Sequence, residues 1–150
     1  MSDHAVIDIA FLEPAQPSAA EAIELLHDEL FLFDDWMDRY QFIIELGQSL
    51  PPFPEAWKTD ARLVPGCQSR VWLEPCARDG KLYFAGASDA AIVSGLVALL
   101  LQVYSGRSPT EIRATPATFL KDWGLIGALS GNRGNGVAAM AERIQRFAAA

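Results

Sequence analysis

The residue of this chain best suited to chemistry is a cysteine that follows a Pro-Gly pair. Pro65 fixes its own φ angle, and Gly66 adopts backbone conformations that a residue with a Cβ resists, so the pair predicts a turn directly before Cys67. Free cysteine is usually buried and inert. A cysteine on a turn is instead accessible, and its thiolate is a nucleophile. We therefore interpret Cys67 as a presented, functional thiol.

The residues after the turn support that interpretation. Gln68 and Ser69 place two polar side chains beside the sulfur, and Arg70 adds a positive charge of the kind that lowers the pKa of a thiol. The Val-Trp-Leu run at 71–73 then begins a predicted strand. The second cysteine, Cys76, lacks a polar setting and is interpreted as structural.

Several chemistries are compatible with one accessible thiol, and they differ in the additional residues that each requires. A disulfide is disfavoured because the predicted hairpin pairs Cys76 with the region of Leu82, away from Cys67. Zinc binding and cysteine-protease chemistry are disfavoured because His4 and His27 show no ligand spacing and no relation to the thiol. Peroxide chemistry and sulfur transfer stay open, since both need only an accessible thiolate.

The composition is that of one globular domain. A chain of 150 residues with 51% hydrophobic and 21% charged residues can bury a core and is not disordered. The net charge of −7, from 19 acidic and 12 basic residues, argues against a nucleic-acid surface, which needs a basic patch. Acidic residues concentrate in the first third and basic residues later, a division that can steer a protein partner.

Neither secretion nor membrane insertion is indicated. The N-terminus lacks a positively charged start followed by an apolar core. The longest apolar run, 90–104, is too short to span a membrane and is interrupted by polar residues. Two cysteines in such a chain are expected to stay reduced, so the sequence predicts a cytoplasmic protein.

Capping residues and periodicity predict two helices before the thiol. Ser18 begins the first helix. Asp34 or Asp35 begins the second, which is predicted to end at Gly47. The proline-rich segment 51–54 excludes helix and sheet interior, and it opens a loop that runs to the cysteine turn.

An antiparallel hairpin and a central helix follow. Residues 69–74 and 81–87 are predicted strands, joined through an Asp-Gly turn signal at 79–80. The pair Ser88-Asp89 is predicted to cap a helix that runs to Tyr104 and is apolar nearly all round, so that it packs on more than one side. Gly95 within this helix predicts close packing against the sheet.

Shorter elements complete the chain. Helices are predicted after Ser108 and Thr115, and a glycine- and asparagine-rich turn at 130–136 precedes a final amphipathic helix. The predicted fold is α+β, a single domain in which a small antiparallel sheet is covered by helices. Residues 1–17 are interpreted as an N-terminal extension and residues 18–150 as the domain.

Four segments of the chain resemble the SufE family, the sulfur-transfer partners of cysteine desulfurases. The segment from Gly66 to Leu73 resembles that family's acceptor-cysteine loop. The other matching segments are Ile-Ile-Glu-Leu-Gly at 43–47, the strand-to-helix segment 84–90 with Ile92, Val93 and Gly95, and a late turn with Ser130, Arg133, Asn135 and Gly136. The resemblance runs from about Phe33 to the C-terminus, and the acceptor loop is its most specific part.

The resemblance implies a function and a set of site residues. A SufE-like protein is an α+β cytoplasmic monomer whose loop cysteine, here Cys67, accepts sulfane sulfur as a persulfide from a desulfurase. It stimulates the desulfurase and passes sulfur to an iron–sulfur scaffold or another acceptor. The supporting residues that the resemblance implies are Gln68, Ser69, Arg70, Asp89 and Arg133. Position 70 often carries Gln in that family, so Arg70 is a departure from its pattern.

The resemblance also bears on cofactors and partners. Pyridoxal phosphate belongs to the desulfurase, so no cofactor and no metal is expected in this chain, which is an accessory protein rather than a stand-alone enzyme. No nucleic-acid or membrane partner is expected. Two other functions stay open: a thiol-based redox protein that uses Cys67 with Cys76, and an adaptor that activates the desulfurase without carrying sulfur.

Overall fold

A β-hairpin and the helices packed around it make up the fold. The structure is a computed structural model that describes residues 9–66, 69–128 and 132–150. The longer elements are α1 (Ala19–Leu30), α2 (Trp36–Gln48), β1 (Val71–Arg78), β2 (Lys81–Ser88), α3 (Ala91–Tyr104) and α7 (Asn132–Ala149). The short helices are α4 (Pro109–Arg113), α5 (Thr118–Asp122) and α6 (Leu125–Ala128), with 3₁₀ turns at Glu55–Trp57 and Asp60–Arg62. The predicted α+β class is confirmed.

The first two helices begin where their capping residues predict. The Ser18 hydroxyl accepts a hydrogen bond from the Glu21 amide at 3.1 Å, and the Asp35 carboxylate accepts one from the Met37 amide at 2.9 Å. The predicted end of the second helix at Gly47 is wrong, because α2 continues to Gln48. Gly47 is needed for close packing and not for a turn.

The hairpin is longer than predicted, and its turn fixes its register. Asp79 and Gly80 both have positive φ angles, 55° and 77°, as a two-residue type I′ turn requires. From that turn the strands pair without interruption, from Arg78 opposite Lys81 to Val71 opposite Ser88. The far end of the hairpin therefore brings the start of β1 beside the end of β2.

Helix α3 lies at the centre of the hydrophobic core, and most of its residues are buried. The predicted reason for Gly95 is wrong, because its close contact is with Ile43 of α2 and not with the sheet. A Cβ placed on Gly47 would likewise lie 2.6 Å from the Gly95 backbone nitrogen. Two glycines thus let α2 and α3 approach to backbone contact. The sheet meets α3 at a different glycine, Gly86, where a Cβ would lie 2.7 Å from Val97.

The described part of the N-terminal extension lies against the hairpin. Ala10 and Phe11 are buried with Ala85 in a second, smaller apolar cluster. The Leu12 amide donates to the Phe84 carbonyl at 3.0 Å, and the Ser105 hydroxyl donates to the Leu12 carbonyl at 2.6 Å. The domain boundary before residue 18 stays a prediction.

A buried arginine joins the same segment to the end of α3. Arg107 donates to the carbonyls of Val103, Gln102 and Gln16, at 3.0, 3.3 and 2.7 Å. Burial lowers the pKa of its guanidinium, and the nearby carboxylate of Glu111 opposes that shift. The last carbonyls of a helix lack donors within the helix, and Arg107 donates to two such carbonyls of α3, those of Val103 and Gln102.

The last helix begins earlier than predicted. The expected turn at 130–136 is wrong for residues 132–136, whose backbone is helical, while residues 130 and 131 lie outside the described residues. Glycine weakens a helix by about 1 kcal/mol per residue but does not forbid it. Val137, Met140 and Ile144 are buried on one face of α7, and this packing outweighs the local preference.

Substitution of Gly95 by Ala tests the contact between α2 and α3. On an uncrowded helix the change stabilises by about 1 kcal/mol. Here the added Cβ meets Ile43, so we expect the free energy of unfolding to fall by about 1–3 kcal/mol. Urea unfolding measures the difference, and a stabilised variant would show that the helices are not in backbone contact.

A second prediction concerns alkaline pH. Tyr104 is fully buried and donates to the Thr115 carbonyl at 2.7 Å; burial raises its pKa from 10.0 to about 12, against a smaller opposing effect of Gln145. The folded state therefore keeps the proton to higher pH than the unfolded state. The contribution of the protonated Tyr104 hydroxyl to stability is complete below pH 10 and is lost as the pH rises toward 12.

The matched variant for this prediction is Tyr104→Phe, which has no proton to lose. Between about pH 9.5 and 11, urea unfolding of the original protein is expected to lose about 1 kcal/mol more stability than unfolding of the variant. Parallel pH profiles of the two proteins would contradict the assignment.

Candidate functional site

The loop that contains the predicted acceptor is closed at its base by backbone pairing. The Val64 amide donates to the Val71 carbonyl at 2.9 Å, and Leu63 forms a β-bridge with Trp72. Gly66 has a φ of +89°, in the region that favours glycine, so the predicted turn is confirmed at that residue. Cys67 and Gln68 lie outside the described residues. The segment 65–70 therefore connects two positions that are fixed to each other.

A second set of bonds fixes the exit of the loop to the junction between β2 and α3. The Arg70 amide donates to the Asp89 carboxylate at 3.2 Å, and the Arg70 carbonyl accepts from the Ser88 hydroxyl at 2.7 Å. The Asp89 amide also donates to the Arg70 carbonyl, at 3.4 Å. The hairpin register produces this contact. Val71 pairs with Ser88 in the antiparallel ladder, so Arg70, the residue before β1, lies next to Asp89, the residue after β2.

The predicted cap of α3 by Asp89 is wrong. Ala90 is the residue before the first turn, and no side chain caps that end. The Ser88 hydroxyl accepts from the Ala90 amide at 3.3 Å, and the Ser94 hydroxyl donates to the Ser88 carbonyl at 3.2 Å. The Asp89 carboxylate is instead turned toward the loop, where it satisfies the Arg70 amide.

The other predicted site residues have different positions. Ser69 is half-buried and Arg70 is exposed at the exit of the loop. Arg133 belongs to the first turn of α7, and its side chain lies outside the part of the chain that is described. The structure therefore brings together Arg70 and Asp89. The roles of all the predicted site residues stay predictions.

An open cleft of about 510 Å³ borders the loop on both sides of the cysteine position. Pro65 and Gly66 line it before the cysteine, and Ser69 and Arg70 line it after. The remaining lining residues are Asp60, Ala61, Leu63, Val64 and Arg143.

Arg143 of α7 is the residue that sequence reasoning missed. It is far from Cys67 in the sequence, and it follows the buried Met140 and precedes the buried Ile144 on an amphipathic helix. The available signal is the length of α7. A long C-terminal helix packed on the core can place an arginine next to a loop that is much earlier in the sequence. A Cβ on Gly66 would lie 3.3 Å from Ala139, which shows how closely the loop approaches this helix.

Other sites were sought in the described ranges. Within 9–66, 69–128 and 132–150, no three His, Cys, Asp or Glu residues are grouped as a metal site would require. None of the helices there is long and apolar enough to cross a membrane. Cys76 is a free, half-buried thiol on β1, packed against the cluster that contains Phe11 and Ala85.

Comparison with known proteins decides the family. The model of the family described as "SufE: Fe-S metabolism associated domain" matches residues 24–148. The chain belongs to the SufE family. The match includes the loop, the hairpin and the helices α2 to α7, and it confirms the resemblance drawn from the sequence.

Individual proteins are similar to this chain over most of their length. The sulfur acceptor protein CsdE of Escherichia coli (strain K12) is 37% identical over 123 residues, 81% of this chain and 84% of that protein. An uncharacterized SufE-like protein of Rhizobium meliloti (strain 1021) is 41% identical over 129 residues, 83% and 92% of the two chains. The solution structure of a hypothetical protein from Thermus thermophilus has a TM-score of 0.70 at 21% identity, covers 85% and 93% of the two chains, and shows the same fold.

The bond between Asp89 and Arg70 is open to a direct test. An Asp89→Ala substitution removes the acceptor of the Arg70 amide, so exchange of that amide with solvent is expected to accelerate about fivefold, the equivalent of about 1 kcal/mol. Hydrogen exchange followed by NMR measures this. Asp89→Asn keeps an acceptor oxygen and should show a smaller effect, and the exposed Asp122 changed to Ala serves as control. Equal exchange in all variants would rule out the anchor.

Proposed function

We propose that this SufE-family protein accepts sulfur from a cysteine desulfurase on Cys67. The observation that carries the proposal is the 65–70 loop, which holds Cys67 between anchored ends in a chain whose family model is one of Fe–S metabolism. Similarity to CsdE, which is named a sulfur acceptor protein, supports the same cargo. The desulfurase supplies the pyridoxal phosphate, and this chain needs no cofactor of its own.

The transfer is a displacement at sulfur. The Cys67 thiolate attacks the outer sulfur of a persulfide on the desulfurase cysteine. The S–S bond of that persulfide breaks, and its electron pair leaves with the desulfurase cysteine as a thiolate. A new S–S bond joins Cys67 to the transferred sulfur, so no outside oxidant or reductant is needed. The resulting Cys67 persulfide then passes sulfur to an iron–sulfur scaffold or another acceptor in the cytoplasm.

The anchored loop suits this reaction. A nucleophile must approach the persulfide in line with the bond that breaks, and a loop with fixed ends restricts the directions from which its residues approach. Asp89 holds the exit of the loop through the Arg70 amide, and the Arg70 side chain is exposed at that exit. We propose that Asp89 positions the loop and that Arg70 favours the anionic sulfur species.

A redox function that joins Cys67 to Cys76 is less well supported. The base of the loop is at Val71, and Cys76 lies about 16 Å farther along β1 at roughly 3.3 Å per residue. A disulfide requires two Cα atoms within about 7 Å. An adaptor function without sulfur transfer remains as the alternative that the experiment must separate.

Intact-protein mass spectrometry after incubation with a cysteine desulfurase and free cysteine, without reductant, tests the proposal. The protein is expected to gain one sulfur atom that maps to Cys67. Cys67→Ser should gain none, and Cys76→Ser, the matched control, should gain sulfur as the original protein does.

Three outcomes would contradict sulfur transfer. Stimulation of the desulfurase by Cys67→Ser, with no sulfur gained by the original protein, would establish the adaptor. Loss of activity in Cys76→Ser as complete as in Cys67→Ser would favour redox chemistry. Absence of both sulfur gain and stimulation with several cysteine desulfurases would contradict sulfur as the cargo and favour the redox function.

A further inference from the structure

The cleft beside the loop has an excess of positive charge in an acidic protein. Among the described residues that line it, Arg70 and Arg143 are accompanied by one carboxylate, Asp60, while the whole chain carries a net charge of −7. A local surplus of cations on such a protein is a recognisable electrostatic feature. The cleft is therefore suited to an anion and not to a cation.

The two arginines of the cleft differ from the other arginines in what they bind. The other described arginine side chains are engaged with carboxylates or carbonyls of the fold: Arg39 with Phe33, Arg62 with Glu74, Arg78 with Glu13, Arg107 with three carbonyls, Arg113 with Ala148 and Arg146 with Glu142. Within the described residues, the Arg70 and Arg143 guanidinium groups make no hydrogen bond or ion pair. Their donors are available to a ligand.

Arg143 is held in place without using those donors. Its helix is fixed by Met140 and Ile144, which are buried in the core, and its guanidinium carbon lies 5.6 Å from the centre of the Phe147 ring. A cation over an aromatic face is attracted to it and loses some of its freedom. Arg143 thus presents a partly ordered fork beside Pro65 and the loop.

The chemistry of arginine and the position of the cleft identify the ligand. The guanidinium fork matches the two oxygens of a carboxylate. The desulfurase must come within bonding distance of Cys67 during transfer, so it necessarily covers the surface that borders the 65–70 loop. We propose that Arg143, together with Arg70, binds a carboxylate side chain of the cysteine desulfurase in this cleft. The inference rests on the proposed function and names the chemistry by which its partner is recognised.

The experiment measures affinity for the desulfurase by isothermal titration in the absence of free cysteine. Arg143→Ala is expected to raise the Kd about tenfold, because a charge-assisted hydrogen bond is lost, and Arg143→Lys should recover part of the affinity. Arg146→Ala is the matched control: it is on the same helix and borders the neighbouring cavity next to Pro65, but it does not line the cleft and its guanidinium is already paired with Glu142. It should therefore change the Kd less than twofold. The difference between the Arg143 and Arg146 variants should shrink at high salt.

Each other outcome overturns the inference. An unchanged Kd in Arg143→Ala, or an equal increase in Arg146→Ala, would show that no specific carboxylate is bound there. An unchanged Kd with an altered KM for free cysteine would assign the cleft to the substrate's carboxylate instead. Sulfur gain at saturating desulfurase separates the two proposals: original protein that gains no sulfur refutes the proposed function, whereas normal gain with an unaffected Kd refutes only the role of Arg143.

Discussion

The register of one hairpin determines where every part of the candidate site lies. The left-handed pair Asp79-Gly80 places Arg78 opposite Lys81, and pairing then continues until Val71 meets Ser88. A slip of one residue would exchange the two faces of the sheet and expose its buried side chains. The same slip would separate the Arg70 amide from Asp89. The turn at one end of the sheet therefore controls the loop at the other end.

The hairpin can hold this register because α3 covers it and is itself held by α2. Gly86 lets β2 lie against Val97, and Gly47 and Gly95 let α2 and α3 touch along their backbones. Packing at such distances leaves no room for sliding, since protein interiors are dense and resist deformation. Asp89, which anchors the loop just before α3, is consequently fixed relative to the sheet.

Local chemistry was enough to predict the helix starts at Ser18 and Asp35, the Asp-Gly turn and the α+β class. Predictions from local chemistry were wrong where a residue has a contact distant in the sequence. Asp89 could cap its own helix, but the hairpin brings the Arg70 amide within 3.2 Å. The prediction for Gly95 was wrong, and Arg143 was missed, for the same reason. The neighbour of each residue belongs to an element that is distant in the sequence.

The arrangement separates the interactions that build the fold from those left for a partner. Arg107 is buried, and its guanidinium is occupied by three backbone carbonyls, so it acts only within the chain. The anchor at Arg70 uses its backbone atoms alone, and the contact of Arg143 with Phe147 uses the face of a ring. Both guanidinium groups keep their donors, while the backbone of Arg70 and the guanidinium of Arg143 are restricted in position. Restricting such groups in advance lowers the entropy that is lost when a partner binds.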